Sequence, residues 1–373
     1  MPRRRSKIDE SFDRQEQCIL CGAYVIALDG GTSTTNPLDV LKAVQWEIHR
    51  DKVPIPEHIL VPSVEVENKS FSKFPWLSSC YQRAIVRSAS SSKYDLTGIG
   101  PVARLGGQPC HLPRDKNTAR ISGPNEAPQY DDVRFRPFCP AHIRIDPSLY
   151  KHTDIGYMFH SHCWEILGHL VGKELIEQKL GQIVRAARKY WKDHRWGFLD
   201  ADTLFRAHQL DKVVYARYKS YVFGCDVFIN PWVIPEVQSA IQSAQEMVRK
   251  RKRKSSYLSR FPLEIWLQVA EIICPITYTQ SDVQDMRNVL SVFALNLPEA
   301  FWTSRLQSKR DVFFEVDSLE TDSVDWQLLW LGFMGLLSDE WYSSSGLANR
   351  ERVLRSIKGI IANFQPKRRL AGR

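Results

Sequence analysis

The chain has 373 residues, of which 43% are hydrophobic and 25% charged, and this composition excludes a wholly disordered or fibrous protein. Its formal net charge is +9, but six basic residues at 249–254 and three arginines at 3–5 account for this excess, so the remainder is close to neutral. We therefore expect no nucleic-acid partner, because such surfaces combine basic residues with interleaved aromatic residues or a groove-reading motif.

Residues 1–17 are predicted to be a flexible, charged N-terminal segment, since they lack the apolar core of about 7–15 residues that a secretory signal requires. The apolar stretch 328–337 is shorter than the ~20 residues that a membrane-spanning helix needs. We expect an intracellular protein, in the cytoplasm or the nucleus, without membrane contact. In a reducing compartment its eight cysteines are expected to be buried thiols or metal ligands.

The region 18–234 changes character along its length. Its first part is rich in Ser, Gly and Pro and has short β-prone pieces at 23–28, 58–66 and 83–86, which predict an irregular arrangement of small strands and long loops. From 163 to 187 the apolar spacing predicts one or two amphipathic helices. The chain is therefore predicted to be α+β, and predominantly helical in its C-terminal half.

Four residues in this region form a candidate metal site. Cys18 and Cys21, followed by Gly22, have the spacing of a knuckle whose two thiolates face one ion. His160 and Cys163 have an i, i+3 spacing at a predicted helix start, which lets imidazole and thiolate point the same way. We expect a structural zinc site that compensates for a weak local core. The alternative is a set of buried thiols and a polar histidine, because the two pairs are far apart in the sequence.

Other patterns point less clearly to chemistry. Cys139 and His142 have ligand spacing but equally suit a proline-rich turn. His160 and Cys163 could instead act as base and nucleophile, although the sequence shows no third residue to orient them. Because paired carboxylates and a nucleotide-binding loop are also missing, an enzyme is not expected.

Residues 235–257 are predicted to be a helical linker that ends in a basic cluster. This cluster is typical of a nuclear-import signal, and equally of a solvated helix end or a contact with an acidic partner. Its members are Arg249, Lys250, Arg251, Lys252, Arg253 and Lys254.

Three short helices are predicted in 258–306. A proline at the first helical turn starts a helix near Pro262, and Pro275 ends it. This first helix has one narrow polar stripe and is apolar elsewhere, so its apolar surface is too wide for one small bundle to bury easily.

The second and third helices have their own start signals. Ser281 and Gln284 have the spacing of a capping box at the start of the second helix. Pro298 restarts the third helix, which carries Phe301 and Trp302.

The order of residues in this segment resembles the F-box of filamentous-fungal F-box proteins. The matching elements are Pro262-x-Glu264-Ile265, Asp282-Val283-x-x-Met286-Arg287 and Leu297-Pro298-x-x-Phe301-Trp302-x-x-Arg305. The resemblance continues into a C-terminal helical extension, 307–373, through Asp325-Trp326 and Asn349-Arg350.

This resemblance implies a non-catalytic adaptor that joins an unknown substrate protein to a cullin-type ubiquitin ligase. The adaptor would dock on the Skp-type linker subunit. The residues it implies for this contact are Phe261, Pro262, Leu263, Ile265, Trp266, Val269, Ile272, Val283 and Met286. The alternative is a structural or metal-stabilised interaction module whose F-box-like segment belongs to its own core.

Overall fold

A computed structural model of the protein confirms the α+β class, with short strands in the N-terminal part and helices in the C-terminal part. Its contacts divide the chain into a first unit, Met1–Val233 with Asn349–Arg373, and a second unit, Ile234–Ala348. The structure describes residues 17–23, 60–71, 78–101, 109–121, 132–141, 143, 152–194, 227, 229–250, 262–275, 278–293, 295–337, 342 and 345–364.

The first unit is built on a mixed sheet. Its strands are β2 (Tyr81–Arg87), β3 (Tyr94–Leu96), β4 (Gly100–Pro101), β5 (Cys110–Pro113), β7 (Phe135–Pro140) and β8 (Ile155–His160). The strand order is β3-β2-β8-β7-β5, and β4 also pairs with β2. All neighbours are antiparallel except β7 and β8, which run parallel. Every residue of β8 is buried, so this strand forms the centre of the unit.

A smaller sheet lies within the same unit and pairs β1 (Leu60–Pro62) with β6 (Thr118–Arg120). The strand predicted at 58–66 is therefore partly wrong, because the chain continues from Pro62 into helix α1 (Ser63–Glu67). Pro62 explains the change, since its φ is already suited to a helix start and it donates no ladder hydrogen bond. The strand predicted at 83–86 is confirmed within β2, whereas 24–28 lies outside the described residues.

Three helices follow β8 where the sequence predicted one or two. They are α2 (Ser161–Val171), α3 (Lys173–Gln178) and α4 (Leu180–Asp193). Gly172 separates the first two with a φ of 97°, in the left-handed region that favours glycine. The long C-terminal helix α10 (Gly346–Phe364) packs on α4, where a Cβ at Gly359 would lie only 2.3 Å from the Tyr190 ring.

The second unit is helical. Its helices are α5 (Pro235–Lys250), α6 (Leu263–Ile273), α7 (Gln280–Val292), α8 (Glu299–Leu306) and α9 (Trp326–Leu336), with short 3₁₀ turns at Gln307–Lys309, Phe314–Ser318 and Thr321–Ser323. The predicted starts at Pro262 and Pro298 are confirmed, and α6 ends at Ile273, two residues before Pro275.

The predicted capping box of α7 is wrong by two residues. Thr279, not Ser281, is the N-cap: its side chain accepts a hydrogen bond from the backbone N–H of Asp282, and the Asp282 carboxylate accepts one from the Thr279 N–H. The predicted pair, Ser281 and Gln284, and the observed pair, Thr279 and Asp282, would satisfy N-terminal backbone donors in the same way. The Asp282 carboxylate makes the stronger hydrogen bond, because it is charge-assisted.

Aromatic side chains form the core of the second unit. Trp302 lies against Trp330 with ring centroids 5.3 Å apart, and Phe313 stacks on Phe333 at 4.1 Å. Buried Arg305 ties α8 to the end of α6, because its guanidinium donates to the Cys274 carbonyl at 2.9 Å. The F-box-like Phe-Trp-x-x-Arg order therefore corresponds to packing residues inside this unit.

Candidate functional site

The four residues of the predicted metal site are brought together. The ligand atoms of Cys18, Cys21, His160 and Cys163 all lie within 4.8 Å of one another, and all four residues are buried. His160 Nδ1 lies 3.5 Å from Cys21 Sγ and 3.9 Å from Cys163 Sγ. The cluster could hold a metal ion, and the predicted grouping of these ligands is confirmed.

The two N-terminal cysteines lie on a tight turn. Gly22 N–H donates to the Cys18 carbonyl at 2.8 Å, and Cys18 N–H donates to the Ala23 carbonyl at 2.9 Å. Gly22 has a φ of 75°, which a residue with a Cβ rarely adopts. The glycine after the second cysteine therefore lets the chain fold back and aim both thiols inward.

The other two ligands come from the junction of β8 with α2. His160 is the last residue of the strand and the N-cap of the helix, and Cys163 lies in the first turn. The turn is fastened to the same strand, because Ile19 N–H donates to the Met158 carbonyl at 3.0 Å. The central strand thus positions both halves of the cluster.

Two side chains from distant helices hold the backbone of the turn. Trp191 of α4 donates its Nε1–H to the Ile19 carbonyl at 2.8 Å, and Arg352 of α10 donates from Nη1 to the Cys21 carbonyl at 2.6 Å. These pairs are 172 and 331 positions apart in the sequence. Sequence reasoning missed both residues, because no local spacing connects them to the cysteines.

Because the thiols lie close together, the pKa values of Cys21 and Cys163 shift in opposite directions. Burial raises the pKa of the Cys21 thiol, but hydrogen bonds from Cys163 and Cys18 and the charge of Arg352 outweigh it, and the net pKa is well below its ordinary value. Burial and neighbouring Cys18 and Cys21 raise the pKa of Cys163 well above its ordinary value. A divalent cation relieves such repulsion among thiolates.

The pKa values of the two histidines of this region shift in opposite directions. Burial lowers the pKa of His160, but the negative charges of Cys18 and Cys21 raise it to about 10. Burial and the charge of His160 lower the pKa of His162 well below its ordinary value. His162 stacks on the His160 ring at 5.0 Å and does not belong to the ligand cluster.

The alternative uses of these residues gain less from the structure. Cys139 lies half-buried in β7, whereas His142 is outside the described residues. His160 and Cys163 are both fully buried, while a catalytic thiol is usually partly exposed.

The residues assigned to a Skp-type partner differ widely in exposure. Exposed apolar side chains lie on α6: the exposed fraction is 45% for Leu263, 45% for Ile265 and 81% for Ile272. Val283 and Met286 of α7 are instead buried inside the second unit, so they shape the unit and have no surface to offer a partner.

The remaining assigned residues lie between these extremes. Pro262 is exposed, Val269 is half-buried, and Trp266 is half-buried against Phe293 with ring centroids 5.4 Å apart. Phe261 lies outside the described residues. So do Arg251, Lys252, Arg253 and Lys254 and the side chains of Arg249 and Lys250.

No protein-family model, curated protein or solved structure matches this chain. Within the described residues, none of the helices is both long and apolar enough to span a membrane. The class that fold and site define is thus an α+β protein with a buried cluster of three cysteines and one histidine.

Proposed function

We propose that this protein is a non-catalytic F-box-type adaptor that binds a Skp-type linker subunit of a cullin ubiquitin ligase through α6. One observation carries the proposal: of the eleven residues of α6, only Ala270 is buried. Leu263, Ile265 and Ile272 stay in water although the helix is strongly apolar.

Exposed aliphatic side chains on one short helix are typical of a protein-binding surface. Burying a complete Leu or Ile side chain contributes about 1.5–3 kcal/mol, and Leu263 and Ile265 already have about half of theirs covered. A few anchors of this kind dominate helix-mediated contacts, surrounded by nearly neutral residues. The linker subunit is the partner that the resemblance of 258–306 to an F-box implies.

We further propose that zinc occupies the cluster. Around a tetrahedral zinc with bonds of about 2.3 Å to sulfur and 2.0 Å to nitrogen, ligand atoms lie roughly 3.5–3.8 Å apart. The distances of 3.5 and 3.9 Å from His160 Nδ1 to two sulfurs are close to this range. Four buried protein ligands fill the coordination shell, so the ion would have a structural role.

The basic cluster 249–254 remains a proposed nuclear-import signal. A fusion of a fluorescent protein to the full chain, compared with one in which these six residues are alanine, tests it. Equal nuclear fractions for the two fusions contradict the signal.

Association with the Skp subunit tests the adaptor role. The double variant Leu263→Asp, Ile265→Asp should lose co-purification, because two charges replace apolar anchors at positions that the fold itself leaves open. Val133→Asp is the matched control: this valine is 80% exposed and lies in the first unit, so its variant should associate like the wild type.

Either of two results contradicts the adaptor role: association of the double variant at the wild-type level, or no association of the wild type. Co-purification also separates the adaptor from the alternative, a structural or metal-stabilised module, because that module would not bind the linker subunit. Metal content tests the zinc site by itself. Purified wild type should contain one zinc per chain and the Cys18→Ser, Cys21→Ser variant none. Equal metal content in the two proteins excludes the site.

A further inference from the structure

Arg352 connects the metal cluster to the C-terminal helix. Its Nη1 donates to the Cys21 carbonyl at 2.6 Å, while Nε and Nη2 both donate to Asn349 Oδ1, at 3.1 and 2.9 Å. The guanidinium is therefore held from one side by its own helix, and its Nη1 donates to the backbone of the candidate ligand Cys21. Because the contact with Asn349 fixes the orientation of the planar guanidinium, this side chain loses little conformational freedom when it binds the Cys21 carbonyl.

The start of this helix is itself firmly held in the first unit. Asn349 is fully buried and donates to the carbonyls of Val227 at 3.2 Å and Ile229 at 2.7 Å. Arg350 is also fully buried, and it donates to the carbonyls of Pro231 and Trp232 at 2.6 and 2.8 Å. Arg352 is thus oriented by a network that extends away from the metal cluster.

Charge gives this contact a second role. Three thiolates around one divalent cation leave a net charge of minus one in a buried site, and a buried unbalanced charge is costly. The guanidinium of Arg352 is a cation that the cluster meets through the Cys21 backbone. Outer partners of this kind orient metal ligands and tune metal affinity.

We infer that Arg352 is a positioning residue of the metal centre, which holds Cys21 in place, balances the charge of the loaded site and couples metal binding to the seating of the C-terminal helix. This inference rests on the proposed zinc site. Because binding couplings are reciprocal, zinc should order 349–364, and a properly seated helix should strengthen zinc binding.

Zinc affinity of the full chain, measured by competition with a chromogenic chelator, tests the inference. Arg352→Met keeps the aliphatic stem but loses charge and donors, and should weaken zinc binding by about 10–100-fold. Arg352→Lys keeps the charge without the fork, and should fall between Met and wild type. Arg355→Met, an exposed arginine on the same helix, is the matched control and should bind as the wild type does.

The zinc-dependent change in hydrogen exchange of the 349–364 backbone supplies a second readout, because a generally weakened fold raises exchange both with and without zinc. Zinc should slow exchange there in the wild type, and this zinc-dependent protection should be smaller in Arg352→Met. Affinity within twofold of wild type, or undiminished protection, overturns the inference. If Arg352→Met does not fold, Arg352→Lys decides by the same two measurements. Wild-type protein that binds no zinc instead overturns the metal proposal itself.

Discussion

Replacement of Cys163 by serine should remove most of the stability that the metal contributes to the first unit. The ion would join a turn at Cys18 and Cys21 to a helix start at His160 and Cys163, and Cys21 and His160 are 139 positions apart. A cross-link that closes a loop of this length restricts the unfolded chain by about 5 kcal/mol at 25 °C. A bound metal would serve here as such a link, provided that all its ligands are present.

The expected change is large enough to measure directly. For domains of 150–250 residues, 1 kcal/mol corresponds to about 2–4 °C in Tm, so Cys163→Ser should lower Tm by about 10–20 °C. Circular dichroism of the zinc-loaded protein on heating gives this value. Adding a chelator should lower the Tm of the wild type by a similar amount and leave that of the variant unchanged.

A second buried cysteine separates loss of the metal from loss of a buried thiol. Cys110 is 5% exposed and lies outside the cluster, so Cys110→Ser should keep the full chelator effect. A Tm of Cys163→Ser within about 2 °C of wild type, the shift that 1 kcal/mol or less produces, would refute the reasoning. So would a chelator effect of equal size in wild type and Cys163→Ser.

Three further predictions concern the second unit. Ile272→Ala should weaken binding to the Skp subunit by about 10–100-fold in calorimetry, because up to about 1.5–3 kcal/mol of apolar burial is lost. In urea unfolding of the free protein, a stability loss above about 1 kcal/mol would contradict the exposure of Ile272. Arg305→Met should lower the free energy of unfolding by about 2–3 kcal/mol in the same assay. The variant loses the hydrogen bond to the Cys274 carbonyl and a cation–π contact with Phe301 at 3.9 Å. An unchanged urea midpoint would argue against both contacts. Burial raises the pKa of the Cys274 thiol to about 11, so Cys274 of the folded protein should resist iodoacetamide at pH 8, and labelling of this residue as fast as in the urea-unfolded chain would contradict this.

In the second unit, helix starts were predicted correctly where a proline supplied the signal. Pro262 and Pro298 fix their own φ, and this local restraint acts whatever the surroundings are. The predicted start of α7 was wrong by two residues, because Thr279 and Ser281 offer the same hydroxyl chemistry two residues apart. The pairing with the Asp282 carboxylate decided it in the folded chain.

The exposed surface of α6 likewise has one cause in the local sequence and another in the tertiary packing. The apolar width of the helix was visible from the spacing of its residues. Which face of α6 stays exposed depends on its neighbours in the fold. These neighbours cover Ala270 and half-cover Trp266, and they leave Leu263, Ile265 and Ile272 exposed. The helical spacing of Val283 and Met286 indicated an apolar face on α7, but only the packing decided that this face lies in the interior of the unit and not against a partner.

By itself, the sequence determined the α+β class, the paired spacing of the ligands and the glycine that shapes the turn after Cys21, since each depends on residues a few positions apart. Only the tertiary structure decided that the pair at Cys18 meets the pair at His160, and that Trp191 and Arg352 hold the turn between them. The physical reason is range: backbone dihedrals and helix periodicity act over a few residues, whereas the cluster is assembled by packing of a central strand and two helices that lie far apart in the chain.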